Sequence, residues 1–181
     1  MTAETLGYRG IPWTEEDYLA LGETTDRVEL FDGGLIVTPA PTPQHQEISH
    51  LLHALLRRPA ESRGLRVYEA VNVRLRAGRI PIPDLVVVDR IDPREPAVDG
   101  SAVRLIAEIV SPSNAFNGRL LKMHYYADAG LEWYLLVEPD GDEIGLRLLR
   151  LDGDHYTQHA AGGVLTLTEP VAVTIDPADL A

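Results

Sequence analysis

The chain has no cysteine. Disulfides, thiolate zinc sites and cysteine nucleophiles are therefore excluded, and a reducing compartment is compatible with the composition. Long apolar runs are missing too: nothing approaches the roughly 20 residues a membrane span needs. The opening segment MTAETLGYRG lacks the basic and apolar regions of a secretory signal, so a cytoplasmic protein is expected. Positive charge is scarce, with 16 Lys and Arg against 28 Asp and Glu and a formal net charge of -12. This argues against a broad basic face for nucleic acid, and any such site must be local or metal-assisted. G-x-G-x-x-G, G-x-x-x-x-G-K-[ST], G-x-S-x-G and S-x-x-K motifs are all absent, which removes dinucleotide, P-loop and common serine-nucleophile chemistries. Lysine is the rarest absence of all: Lys122 stands alone among the basic residues, which are otherwise arginine. A lone lysine suits a site that wants a compact ammonium rather than a planar fork, although an incidental helix position is the alternative.

What is present fits one domain over residues 1–181, 45% hydrophobic and 24% charged. The stretch V-R-L-I-A-E-I-V encloses Glu108 between apolar neighbours, so a strand here carries a carboxylate inward, where it must be paired, bound to metal or protonated. Upstream, Thr14 and Asp17 predict a capped helix over about 14–21, with Tyr18, Leu19 and Leu21 as apolar contacts. R-V-E-L-F-D-G-G-L-I-V-T predicts a hairpin turning at Asp32-Gly33. Glu29 and Phe31 share one face of its first strand and Val28 and Leu30 the other; Glu29 is either partly buried or an exposed strand glutamate.

Thr42 and Pro43 predict the start of a helix reaching about Arg58, with Ile48, Leu51, Leu52, Leu55 and Leu56 as its apolar stripe. His45 and His50 lie five residues apart, about 140° around the helix, and cannot clamp one zinc ion from one face. His50 and His53 share a polar row. His45 lies on the inward row, facing a cleft or satisfied in the core. From Leu65 the pattern is β, with a turn at Ala77-Gly78 and a local basic patch of Arg74, Arg76 and Arg79 that suits phosphate or a solvated face. L-V-V-V reads as a buried strand, and Asp84 stands at its mouth after Pro83. A second helix is expected over about 114–129, with Phe116, Leu120, Met123 and Ala127 on its apolar side and Gly118, Lys122 and Tyr126 on a separate row. The C-terminal third returns to β, with turns near Pro139-Asp140-Gly141 and Asp152-Gly153 and a last strand V-A-V-T-I.

Asp84, Glu108 and Lys122 thus remain as the chemistry-bearing set, with Glu29 and His45 as neighbours. Two carboxylates on strands of one sheet repel unless a cation separates them. A hard divalent ion, Mg²⁺ or Mn²⁺, would resolve that repulsion, and the lysine would serve an attacking water or the charge developing on a phosphorane.

The ordered segments E-L-F-D-G-G, P-T-P-Q-H-Q, I-P-D-L-V-V-V, A-E-I-V-S-P-S-N and K-M-H-Y-Y-A-D-A-G-L-E-W-Y-L-L-V-E-P resemble the Uma2 (DUF820) restriction-endonuclease family of the PD-(D/E)XK nuclease superfamily. The resemblance implies an α/β, restriction-endonuclease-like fold: a mixed sheet flanked by helices, with additional C-terminal antiparallel strands. It implies Asp84 as the PD aspartate, Glu108 as the second acidic ligand and the Ile109 carbonyl as a further metal ligand. Lys122 takes the place of the superfamily lysine, moved to the following helix, since Val110 occupies the usual position. Glu29 and His45 match the family's N-terminal glutamate and helix histidine. Where family members commonly carry an aspartate four residues before the lysine, this chain has Gly118.

The implied function is a Mg²⁺- or Mn²⁺-dependent endonuclease acting on DNA, expected as a homodimer. Gly118 and the acidic composition underlie the alternative, a catalytically degenerate dimeric binding or regulatory protein that keeps the fold. A third reading makes Glu108 and Lys122 a buried ion pair with no catalytic task.

Overall fold

The apolar runs Leu85–Val88 and Val103–Ile109 demand cover on both faces, and the fold supplies it with one helix on each side of a sheet. A computed structural model describes residues 4–6, 11–22, 24–110, 116–141 and 143–181. The chain opens with β1 (Glu4–Leu6), α1 (Glu15–Leu19), β2 (Arg27–Phe31), β3 (Gly34–Thr38) and α2 (Pro43–Ser62). Five short strands and one longer one follow: β4 (Arg66–Glu69), β5 (Val73–Arg74), β6 (Arg79–Ile80), β7 (Leu85–Val88), β8 (Val98–Asp99) and β9 (Val103–Ile109). Helix α3 (Phe116–Asp128) then leads to β10 (Trp133–Asp140), β11 (Glu143–Asp152), β12 (His155–Gly162), β13 (Leu165–Leu167) and β14 (Val173–Ile175).

The main sheet has the order β12-β11-β10-β9-β7-β4. Its β9 and β10 are parallel, and every other adjacent pair is antiparallel. A parallel pair needs a crossover connection, and α3 is that crossover. On one face, Ile48, Leu52 and Leu56 of α2 pack with Leu85, Val87, Leu105, Ala107 and Ile109. On the other, Tyr126 of α3 packs with Val86, Val88, Ile106, Tyr134 and Leu136. A second sheet, β1-β3-β2-β6, packs Val28, Leu30, Leu35 and Ile80 with Tyr18 of α1. The architecture is the expected mixed α/β sheet flanked by helices, extended by C-terminal antiparallel strands.

Local signals act as read. Thr14 and Asp17 form a reciprocal capping box, and the hairpin turns at Asp32 (φ 49°) and Gly33 (φ 85°), the left-handed pair that a tight Asp-Gly turn needs. Several expectations are corrected. Helix α2 runs on to Ser62 through Pro59, because Ala60 in the following turn is fully buried against the sheet and holds the helix together. The run from Leu65 is broken after Glu69 by Ala70 at φ 50°, and Val73–Arg74 leaves to pair parallel with β8. Leu21 lies past the end of α1 and is exposed; Leu120 of α3 is exposed too, while Tyr125, Tyr126 and Ala127 of that helix are buried. Pro139 and Asp140 still pair within β10, so the reversal comes later, at Gly141. The pair β13–β14 adds a strand, L-T-L, that the sequence reading did not contain. Residues 111–115 lie outside the described residues, as does the Phe116 side chain.

Pro59 removes a helical hydrogen bond in the penultimate turn. Replacing it by alanine is expected to stabilise the protein by about 1–3 kcal/mol, measured by urea unfolding.

Candidate active site

Register brings the two acidic candidates face to face. Leu85 pairs with Ala107 across β7 and β9, so one step outward Asp84 stands opposite Glu108 on the α3 side of the sheet. Asp84 is buried, and three segments converge on it. Arg27 Nη1 donates to Oδ1 at 2.7 Å, the Ile109 N–H donates to Oδ2 at 2.8 Å, and His45 Nε2 lies 3.1 Å from Oδ2. Burial alone would raise this carboxyl's pKa; the His45 hydrogen bond and the Arg27 charge outweigh it and hold the group well below the usual carboxylate range. His45 reaches this point because Thr42 caps α2 by accepting the His45 backbone N–H, at 3.2 Å, which fixes the first turn.

Strand β2 supplies the next part through one face. With a period of two, Arg27, Glu29 and Phe31 all point towards α3 and the site, while Val28 and Leu30 join the core below. Glu29, 2% exposed, accepts the Ile82 N–H at 2.7 Å and an ammonium hydrogen from Lys122 at 2.8 Å, both through Oε1. Lys122 is 3.4 Å from Glu108 Oε1, so it pairs with both glutamates and lies nearer to Glu29. Burial would lower the Lys122 pKa, but the charges of Glu108 and Glu29 outweigh that and hold it above the ordinary lysine value. One turn on, the Tyr126 hydroxyl donates to Glu108 Oε1 at 2.7 Å. Burial, with the Asp84 charge adding and the Lys122 charge opposing, pushes the Glu108 carboxyl up to about 7.

The spacing between β2 and α3 is held by a second cluster just outside the site. Arg79 donates to both oxygens of Asp32, at 2.8 and 3.0 Å, and to Asp128 at 3.1 Å, with its guanidinium 3.7 Å above the Tyr125 ring. Tyr125 donates its hydroxyl to Asp32 at 2.8 Å and stacks on Phe31, ring centres 5.4 Å apart. The hairpin turn and the end of α3 are thereby fastened together. Of the expected basic patch, Arg79 is thus buried in this cluster and Arg74 pairs with Glu15 at 2.5 Å. Their positive charge is turned to the protein's own carboxylates rather than offered as a patch.

The structure therefore gathers the five candidates in one region: Lys122 touches Glu29 and Glu108, His45 touches Asp84, and Asp84 stands opposite Glu108 across β7 and β9. Ile109 joins through its amide, which donates to Asp84. Arg27 and Tyr126 are functional-site neighbours to which the sequence reading gave no task; period-two spacing from Glu29 and i, i+4 spacing from Lys122 are the signals that point to them. For a metal, the donor chemistry fits a hard divalent ion: the facing groups are carboxylate oxygens, and among the described residues three buried carboxylates meet two fixed cations, Arg27 and Lys122. Among the described residues no group of three or more His, Asp or Glu side chains is already arranged around an ion position.

The sequence model of the Uma2 family, described as "Putative restriction endonuclease", matches residues 15–178. A solved structure from Anabaena variabilis ATCC 29413, described as "a putative nuclease belonging to DUF820", superposes with a TM-score of 0.72 at 19% identity, over 93% of this chain and 97% of that one. At that identity the likeness shows the fold. No curated protein matches the chain.

Two outcomes are expected of the metal-free protein. Lys122→Met should cost about 3–5 kcal/mol in denaturant unfolding, because it strands Glu29 and Glu108 in the interior, and the triple variant with Glu29→Gln and Glu108→Gln should recover most of that loss. Because the folded pKa of Glu108 is raised from 4.5 to about 7, its contribution is fully present below pH 4.5 and lost as pH rises through 7. Thermal unfolding in a chelator should then show the stability of the wild type falling relative to Glu108→Gln across that interval; parallel curves would contradict it.

Proposed function

The chain belongs to the Uma2 family, and on that footing we propose that it is a metal-dependent endonuclease that hydrolyses DNA phosphodiester bonds. The observation that carries the reading is the pair of facing carboxylates, Asp84 and Glu108, with a single lysine delivered beside them. A Mg²⁺ or Mn²⁺ ion held by Asp84, Glu108 and the Ile109 carbonyl would supply Lewis-acid polarisation of the scissile phosphate.

The chain's own residues supply the rest of the mechanism. His45 and the Ile109 N–H orient Asp84, and the Tyr126 hydroxyl orients Glu108. Glu29 holds the Lys122 ammonium in place, ready to neutralise charge developing on the phosphorane or to orient the attacking water. Low water access around these buried groups strengthens each of these interactions. DNA is the proposed substrate and a homodimer the proposed assembly. With 16 Lys and Arg against 28 Asp and Glu, contact with DNA is local to the cleft. Among the described residues no helix is long and apolar enough to cross a membrane.

Gly118, in the α3 backbone at the place of the family aspartate, favours a second reading: a binding or regulatory protein that keeps the site without turnover. Purified protein incubated with supercoiled plasmid separates the two. Nicking that requires Mg²⁺ or Mn²⁺ and falls by about 100-fold or more in Asp84→Ala supports the nuclease; no cleavage with either ion, or cleavage untouched by the substitution, refutes it.

A further inference from the structure

Neither the family match nor the structural likeness gives Arg27 a task, yet its guanidinium sits on one of the two proposed metal ligands. Arg27 Nη1 lies 2.7 Å from Asp84 Oδ1. The other oxygen, Oδ2, already faces the Ile109 N–H at 2.8 Å and His45 Nε2 at 3.1 Å. Oδ1 is therefore where a metal ion would meet least competition from His45 and the backbone, and there it meets Arg27. A divalent ion binds a carboxylate oxygen at about 2.0–2.6 Å, and a guanidinium hydrogen-bonded to that oxygen would lie within a few ångströms of it, like charge against like charge.

The surroundings give the side chain somewhere else to go. Its side chain is 22% exposed, whereas Asp84 and Glu29 on either side are both 2% exposed. Arg27 also lines a cavity of about 590 Å³ together with Thr24, Thr25, Asp26, Asn72 and Glu95. The lining of that cavity includes two carboxylates, Asp26 and Glu95, that suit a displaced guanidinium.

We propose that Arg27 is a built-in counter-cation for Asp84, and that the Arg27–Asp84 pair and a divalent ion on Asp84 exclude one another. The inference rests on the reading of Asp84 as a metal ligand. In the metal-free protein the pair keeps a buried carboxylate from standing uncompensated. Its cost is affinity: the ion binds only the fraction of molecules in which the pair is open, so the apparent dissociation constant is raised by the inverse of that fraction. Removing the guanidinium should destabilise the metal-free protein and tighten metal binding, opposite effects that a merely structural arginine would not produce together.

The test is calorimetric titration of Mn²⁺ into the full chain without DNA, alongside thermal unfolding in a chelator. Arg27→Gln is expected to bind Mn²⁺ at least about tenfold more tightly than the wild type while melting lower in chelator. Arg74→Gln, which removes an arginine paired with Glu15 away from Asp84, should stay within about twofold of wild-type affinity. Arg27→Lys, with a shorter reach to Oδ1, serves should the glutamine variant not fold, and is expected to tighten binding by about threefold. Wild-type or weaker Mn²⁺ affinity in the folded Arg27 variants overturns the inference. If the wild type binds Mn²⁺ and Asp84→Asn abolishes binding while the Arg27 variants are unchanged, the metal-ligand reading stands and only the counter-cation falls. Absence of Mn²⁺ binding in both the wild type and the folded Arg27 variants overturns both.

Discussion

Burying three carboxylates within one small region is the constraint from which the rest of this structure follows. Glu29, Asp84 and Glu108 are each withdrawn from water, and an isolated buried carboxylate is too costly to keep ionised. The protein answers with two different cations used in two different ways. Lys122 is a compact ammonium placed between two glutamates, at 2.8 and 3.4 Å, a bridging role that a broad guanidinium would fill poorly. Arg27 reaches a single aspartate oxygen from a neighbouring strand. The remaining imbalance falls on Glu108, whose carboxyl is pushed towards neutrality by burial.

Holding that arrangement requires elements from both sheets and both faces. The crossover α3 exists because β9 and β10 are parallel, and it carries Lys122 and Tyr126 one turn apart over Glu108. Strand β2 belongs to the smaller sheet, so its distance from α3 is not set by any ladder. Arg79, Asp32, Tyr125 and Phe31 set it instead, with a stacked, doubly hydrogen-bonded contact that fastens the hairpin turn to the helix. An error of an ångström there would be felt at the Glu29–Lys122 contact. The cap of α2 does the same for His45 on the opposite side of Asp84.

Much of this could be read from the chain because local chemistry and global packing agree. The alternation in β2, the unbroken apolar runs of β7 and β9, the Asp-Gly turn and the Thr42-Pro43 helix start are all signals carried by neighbouring residues. Glu108 announced itself by being the wrong residue type for its surroundings, and Lys122 by being the sole lysine. What stayed hidden was decided by distant partners. Arg27 is one arginine among many until Asp84 is beside it. Glu29 as the closer partner of Lys122 depends on how the smaller sheet docks. Helix α2 outlasts Pro59 because Ala60 finds a tertiary pocket, which no propensity encodes. The basic character expected of Arg74, Arg76 and Arg79 was cancelled by carboxylates from other segments.

The three groups around Asp84 come from sequence positions 57, 39 and 25 residues away. Each contact therefore closes a long loop, and the entropy of closure must be met by packing elsewhere before the contact can form. Asp84 is consequently a late arrival in any plausible order of assembly, since β2, α2 and β9 must all be docked before its charge is matched. The same dependence runs backwards: detaching any one of these elements leaves a buried charge short of a partner, so partial opening is penalised in proportion to how much of the ring it removes. The acidic centre thus couples the hairpin, the long helix and the central strands into one cooperative unit, and a fragment lacking any of them would have no means of keeping that carboxylate indoors.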